Sequence, residues 1–228
     1  MRRTAGALAT AVLALSGCAA PTTTAAVPTA SYGWHGIEPQ PVPERPSFVL
    51  RDTAGNRFDF REQTAGQPTL LYFGYTNCPD ECPTAMADIA AALRTTPADV
   101  RDRVRVVLVT TDPDRDTGPV VRQWLDQFSQ DFTGLVGTQA EVDAAQQAAG
   151  LQPAERGGPV ETLPGRPDEH VHKQGTAPHQ HFGPLGYGVG HADVIFGYSS
   201  DDRLPVVYPG GVRPSDSAAD LPQLAGTS

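Results

Sequence analysis

The stretch Thr69-Leu70-Leu71-Tyr72-Phe73-Gly74-Tyr75-Thr76-Asn77-Cys78-Pro79-Asp80-Glu81-Cys82-Pro83-Thr84 changes backbone period partway along its length. Thr69 to Tyr75 is an aliphatic and aromatic run, which predicts a buried strand, and Asn77 ends it in a loop. Pro83 suits the first position of a helix, where its missing N–H costs nothing. Met86, Ile89, Ala90 and Leu93 then recur at helical spacing as far as Arg94. Two cysteines therefore sit where a buried strand hands over to a helix. Backbone N–H groups and the dipole at a helix start stabilise negative charge, so a cysteine in that first turn is expected to carry more thiolate than usual.

The flanking sequence repeats the alternation. Phe48-Val49-Leu50 and Phe58-Asp59-Phe60 bracket a Gly55-Asn56 turn, an entry hairpin. Val104 to Thr110 predicts a second strand, Thr117 to Phe128 a helix with Val120, Val121, Trp124 and Leu125 on one side, Leu135-Val136 a short strand, and Glu141 to Ala149 a further helix. Strand and helix in alternation predict an α/β fold with parallel pairing. From Leu151 to Gly190 Gly, Pro and His dominate, so this is expected to be a long loop or insertion. Val194 to Tyr198 and Leu204 to Tyr208 predict a terminal hairpin, followed by a short helix over Ala218 to Leu224 despite Pro222.

The first residues have the form of an export signal: Arg2 and Arg3, then an uncharged run to Leu15, then Leu15-Ser16-Gly17-Cys18. That run is shorter than the roughly 20 residues a membrane-spanning helix needs. Leu-Ser-Gly-Cys resembles a bacterial lipobox, which implies a signal peptide of residues 1–17 and a lipid-bearing Cys18; an ordinary cut near Ala19-Ala20 is the alternative. Cleavage before Cys18 leaves 15 basic against 26 acidic residues. Nucleic acid is thus not an expected partner, because phosphate neutralisation needs a basic surface. Residues 18–45, rich in Ala, Thr and Pro, are expected to form a linker, and residues 46–228 one domain.

With Cys18 assigned to lipid, two of the three cysteines remain, Cys78 and Cys82. Their three-residue spacing suits a soft metal ion or a disulfide. Thiolates favour Cu(I), zinc and iron–sulfur clusters, but two cysteines complete neither a zinc site nor a cluster, so a histidine has to help if a metal is held. A simple stabilising disulfide is the other reading in an exported protein.

Phe73-Gly74-Tyr75-Thr76-Asn77-Cys78-Pro79-Asp80-Glu81-Cys82-Pro83-Thr84 closely resembles the Sco/SenC signature F-G-Y-T-x-C-P-D-x-C-P-T. Further similarity lies at Phe48-x-Leu50-x-Asp52-x-x-Gly55, at Thr111-Asp112-Pro113-Asp114-Arg115-Asp116-Thr117 and at Phe132-x-Gly134-Leu135-x-Gly137. The resemblance implies a thioredoxin-like fold, a central mixed sheet flanked by helices, with an inserted hairpin. It also implies a copper site of Cys78, Cys82 and a histidine ahead of a late strand, which His191 matches. The usual V-D-H-S context is Val189-Gly190-His191-Ala192 here, so the carboxylate that precedes the histidine in the pattern is missing. Asp112, Arg115 and Asp116 have two readings. Either Asp112 caps the next helix while Arg115 pairs with Asp116, or a carboxylate of this loop lies near the cysteines.

His170, His172, His179 and His181 form two His-x-His pairs that the family pattern lacks, a possible auxiliary copper-collecting arm or an incidental feature of a solvated loop. The resemblance implies a metallochaperone for Cu(I) and Cu(II), serving the copper-binding subunit of cytochrome c oxidase or another copper protein from the extracytoplasmic face of a bacterial membrane. The competing reading is a thiol-disulfide oxidoreductase that keeps the oxidase's copper-ligand cysteines reduced. Cys18→Ala is expected to release the protein from membranes in a fractionation assay with copper binding unchanged. A mature N-terminus lying beyond Cys18 and free of lipid, seen by mass spectrometry, would contradict the lipobox reading.

Overall fold

The computed structural model describes residues 33–156, 179–182 and 188–226; at positions 156, 179–182, 188 and 191 it describes the backbone alone. The signal and lipid-attachment residues, including Cys18, together with His170 and His172, lie outside the described residues.

The strand predicted from Thr69 to Tyr75 runs over Thr69–Gly74, and all six of its residues are buried, because it is paired on both edges and covered on both faces. In chain order the main elements are β1 (Val49–Asp52), β2 (Arg57–Asp59), α1 (Phe60–Thr64), β3 (Thr69–Gly74), α2 (Glu81–Thr95), α3 (Ala98–Arg101), β4 (Arg105–Thr110), α4 (Gly118–Leu125), β5 (Thr133–Val136) and α5 (Gln139–Ala148). They are followed by β6 (Glu155–Arg156), β7 (His179–Phe182), β8 (Gly188–His191), β9 (Val194–Tyr198), β10 (Val206–Pro209) and α6 (Pro214–Leu224).

Seven strands form one mixed sheet in the order β10-β9-β3-β4-β5-β1-β2. β3, β4 and β5 run parallel, with Tyr72 beside Leu108 and Leu108 beside Gly134. β9 lies antiparallel on the other edge of β3, with Tyr72 beside Ile195. Side chains alternate across the sheet with period two. Leu70, Tyr72, Val106 and Leu108 join one core with Met86, Ile89, Val121, Leu125 and Leu224. Leu71, Phe73, Val107 and Val109 join the other with Phe48, Phe60, Val142 and Phe196. A strand covered on both faces reads as a continuous apolar run, which is why the periodicity of β3 is invisible in its sequence.

The expected α/β architecture, entry hairpin and terminal hairpin are all present. Val120, expected on the buried side of α4, is exposed, and Val121 and Leu125 carry the packing. The stretch expected to lack pattern from 151 to 190 contains a second small sheet, ordered β6-β8-β7. Pairing between strands distant in sequence supplied what local propensity did not.

The chain joins the domain before the expected boundary at Pro46. Ile37 exchanges backbone hydrogen bonds with Val207, and Glu44 bridges Arg203. Arg45 is 1% exposed; its guanidinium donates to Asp202, Thr64 and the carbonyls of Gln67 and Ser199, 5.2 Å from the centre of the Tyr198 ring. Five donors in a rigid fork make such multiple bonding possible, and it turns the end of an apparent linker into a strap. Composition alone assigned these residues to the tether, since most of their partners lie more than a hundred positions away.

His35 fastens the same segment to α6. Its Nδ1 lies 2.7 Å from an oxygen of the buried Asp220, which also accepts from the His35 backbone N–H and from the Tyr208 hydroxyl. The hydrogen bond to Asp220 holds the imidazole pKa above its ordinary 6.5 against partial desolvation, with Asp216 adding and Arg213 opposing. A raised pKa means that the folded chain binds this proton more tightly than the unfolded chain does. The stabilisation is therefore complete below the ordinary histidine range and lost as pH rises through the folded value. Thermal melts from pH 5.5 to 8.5 are expected to show a falling Tm over that window, a slope that His35→Ala removes.

Candidate metal and dithiol centre

Parallel pairing of β3 with β4 brings two loops to the same edge of the sheet, outside the carboxyl ends of the strands, where open α/β sheets build their sites. The first loop carries the cysteines. Its backbone leaves β3 at Gly74, where a Cβ would come within 2.9 Å of Cys82 Sγ and 2.6 Å of the Tyr72 ring. Only glycine lets the sulfur approach the strand end this closely.

The second loop holds the first in place. The Asp116 carboxylate, 1% exposed, accepts hydrogen bonds from the Thr76 N–H at 2.9 Å, the Thr76 hydroxyl at 2.6 Å and the Thr110 hydroxyl at 2.7 Å. Thr76 stands two residues before Cys78, so this buried carboxylate sets the path of the cysteine loop. Burial raises its pKa although these three donors oppose the rise. Asp112 instead pairs with Arg115, whose guanidinium lies over the Tyr75 ring. The sequence reading that put Arg115 on Asp116 is corrected here: the threonine donors claim Asp116 first, and Asp112 is the carboxylate left facing the guanidinium.

The two cysteines are not joined in a disulfide, and both are buried. The helix begins at Glu81, not at Pro83, so Cys82 is its second residue and Cys78 lies in the loop before it. The Cys82 backbone N–H donates to Cys78 Sγ at 3.4 Å, so the helix-start donor falls on Cys78. Cys82 departs from the expectation of a thiolate. Complete burial pushes its thiol well above the ordinary range, and the neighbouring Cys78 thiol adds to the rise. Desolvation of a sulfur anion outweighs the helix dipole where no water reaches. The Tyr72 hydroxyl lies 3.7 Å from Cys82 Sγ and 2.9 Å from Asp193 Oδ1. With one phenolic proton to give, it donates to the carboxylate, the closer and stronger acceptor.

These tyrosines place the strand that carries His191. The Tyr75 hydroxyl, close enough to Cys78 and Cys82 to sense their charge, is hydrogen-bonded by the Val189 backbone. Val189 is itself buried in the cluster that contains Cys78, Cys82, Tyr72 and Tyr75. On the other side of His191, Asp193 is tied to Tyr72. Position 191 is thus bracketed by two contacts to residues that touch the dithiol. β9, which begins three residues later, runs antiparallel to β3, so its start lies beside the end from which the cysteines emerge.

No carboxylate directly precedes His191; Asp193, two residues after it, accepts from the Tyr72 hydroxyl. Sequence reading missed Tyr72, Tyr75, Thr76 and Asp193. The first three lie in the quoted stretch itself, where they passed as strand and loop residues. Among the described side chains, no three His, Cys, Asp or Glu groups converge on one point. His179 and His181 lie in β7, alongside β8.

Asp116→Ala leaves three donors without their buried acceptor. It is expected to cost about 2–4 kcal/mol and to speed alkylation of Cys78 in the reduced protein, read by denaturant titration and by mass spectrometry.

The SCO1/SenC family model matches residues 38–158. A protein of Stutzerimonas stutzeri described as a putative copper-binding protein is 34% identical over 106 residues, 46% of this chain and 52% of that protein. Protein SenC of Rhodobacter capsulatus is 40% identical over 82 residues, 36% of this chain and 37% of that protein. The chain spans about half or less of the length of these curated relatives. Among solved structures, Bradyrhizobium japonicum ScoI with copper bound superposes with a TM-score of 0.60 at 26% identity, covering 80% of this chain and 99% of that one. The central mixed sheet flanked by helices is that of a Sco thioredoxin-like fold. With the family model taking in more than half of the sequence and the cysteine loop inside the match, the chain belongs to the SCO1/SenC family.

Proposed function

We propose that this protein is a copper metallochaperone that carries its cargo on Cys78, Cys82 and His191. The observation that supports the reading is a pair of reduced, buried thiols, not joined in a disulfide, at the edge of the sheet. Soft sulfur donors with one imidazole suit Cu(I), and the nitrogen extends the set toward Cu(II). Burial of the Cys82 thiol in its protonated form disfavours loss of the proton until a cation compensates the charge. Tyr72 and Asp116 fix the geometry without donating to the metal.

The recipient in this reading is the copper-binding subunit of cytochrome c oxidase or a comparable copper protein, reached from the outer face of a bacterial membrane by a body tethered at Cys18. That assignment follows from the family resemblance and from the lipobox, and the acyl chain, not the acidic body, supplies the membrane attachment.

The reduced, unbridged state of the two thiols also supports a second reading, a thiol-disulfide oxidoreductase. Cys78 and Cys82 would form a disulfide, giving two electrons and two protons to a partner disulfide, which leaves as two thiols. Copper titration of the reduced protein with spectroscopy that resolves sulfur and nitrogen ligation separates the two. Cys78→Ala and Cys82→Ala are each expected to abolish stable copper loading and disulfide formation. His191→Ala is expected to keep Cu(I) on the two sulfurs while weakening Cu(II) much more, with the dithiol still oxidisable. Unchanged Cu(II) affinity and spectrum in His191→Ala would remove it from the ligand set, and failure of the wild-type protein to bind copper would leave the oxidoreductase.

A further inference from the structure

The chain is acidic as a whole, with a formal net charge of -9, but its arginines are not spread evenly. Four of the 17 basic residues, Arg94, Arg101, Arg103 and Arg105, fall in the short stretch that leads from the end of α2 through α3 into β4, and all four are exposed. Arg94, Arg101 and Arg105 line a cleft of about 680 Å³ between α2, α3, the start of β4 and the loop before β5. That is the size of a site for a small amphiphile. Asp102 offsets Arg101 at 3.0 Å. Arg94 and Arg105 have no ion pair among the described residues, and Asp131 is the other acid on the wall. Two guanidiniums thus line the cleft against one carboxylate. Val104 and Phe132 are buried at its floor, and Leu93 and Phe128 stay half-buried at its sides.

The place of the cleft in the fold matters as much as its lining. Arg105 opens β4 and Thr110 closes it beside the cysteine loop, so the cleft and the dithiol lie at opposite ends of one strand, about 17 Å apart. Gly33, the first described residue, accepts from Gln223 of α6, and α6 packs on α2 and α3. The chain therefore enters the domain on the helix layer that walls the cleft. From Cys18 to Gly33 the chain can span at most about 50 Å.

We propose that this cleft binds the phosphate of an anionic phospholipid and so orients the tethered body, with the dithiol edge directed away from the membrane. The inference rests on the reading of Cys18 as a lipid anchor and adds an orientation to it. Arg94 and Arg105 hold the phosphate oxygens, for which the weakly hydrated, planar guanidinium is well matched. Leu93 and Phe128 cover the glycerol and the first methylenes. An acidic peptide satisfies the arginines but leaves that apolar surface wet, which favours the lipid. The acyl chains still supply the attachment, and the cleft selects among orientations of a body already held at the surface.

Trp124 reports on the cleft, because its ring packs edge-on to Phe128 at 4.9 Å, and Trp34→Phe leaves it as the single tryptophan. The mature protein in that background is reconstituted into phosphatidylcholine vesicles with increasing phosphatidylglycerol, and Trp124 is quenched by a nitroxide on the lipid headgroup. Quenching is expected to rise with phosphatidylglycerol and to fall back in molar salt, where charges are screened within about 3 Å. Arg94→Gln and Arg105→Gln should each weaken the response to phosphatidylglycerol about fivefold, with copper loading unchanged. Arg103→Gln, which removes the same charge outside the cleft, should weaken it less.

Quenching that ignores phosphatidylglycerol, or that Arg103→Gln lowers as much as Arg94→Gln and Arg105→Gln do, overturns the inference. A Trp124 response to soluble oligoglutamate with none to phosphatidylglycerol assigns the cleft to an acidic protein and overturns it as well. Failure of the protein to stay on pure phosphatidylcholine vesicles sinks the anchor reading instead. In that case binding of the untethered body to phosphatidylglycerol vesicles, and its loss in Arg94→Gln and Arg105→Gln, still decides whether the cleft takes the lipid.

Discussion

The end of β3 is the constraint on which the site depends. A strand buried at all six positions, paired to β4 on one edge and to β9 on the other, has nowhere to send new side chains except beyond its last residue. Gly74 is that residue. Its carbonyl still accepts from the Thr111 N–H, so the ladder runs to the very edge of the sheet, and its missing side chain lets Cys82 Sγ sit against it. The cysteine loop, the loop after β4 and the approach to β9 all converge there because the ladder fixes their starting points.

Around that end, one buried and one half-buried carboxylate anchor the surrounding groups. Asp116 gathers three donors from Thr76 and Thr110, and Asp193 takes the Tyr72 hydroxyl. In a low-dielectric surrounding such bonds are strong when complete and costly when broken, so they specify one loop conformation. The same dryness holds the Cys82 thiol protonated. Environment, not the helix dipole alone, therefore sets the chemistry of the two sulfurs, and it sets it differently for each. Cys78 receives the backbone donor of the helix start, whereas Cys82 lies wholly within the core.

Away from the site, the segment leading into the domain is held as firmly as a strand. Arg45 reaches four acceptors drawn from two separate parts of the chain, and His35 shares Asp220 with Tyr208. Both anchors end in the region around α6 and the β9–β10 turn, so the entry segment and the C-terminal segment brace one another. The packed domain therefore begins earlier along the chain than composition suggests.

The order of strands and helices, the handover from β3 to α2 and the pairing of Cys78 with Cys82 were all legible in the linear pattern, because hydrophobic period, turn residues and cysteine spacing are local properties. So was the resemblance that singled out His191. What the linear pattern withheld is non-local. It did not show that Asp116 serves Thr76 while Asp112 serves Arg115, that Asp193 accepts from Tyr72, or that Arg45 belongs to the domain. Nor did it show that a stretch rich in Gly, Pro and His pairs into a ribbon with His179 opposite His191. The expected thiolate at Cys82 failed for the same reason. Helix position is written in the sequence, but burial depends on everything that packs around it. Sequence by itself determined which groups are available and roughly where along the chain the backbone turns. Only the tertiary structure decided which of them share a desolvated space, because hydrogen-bond partners and dielectric surroundings are set by atoms brought together across more than a hundred residues.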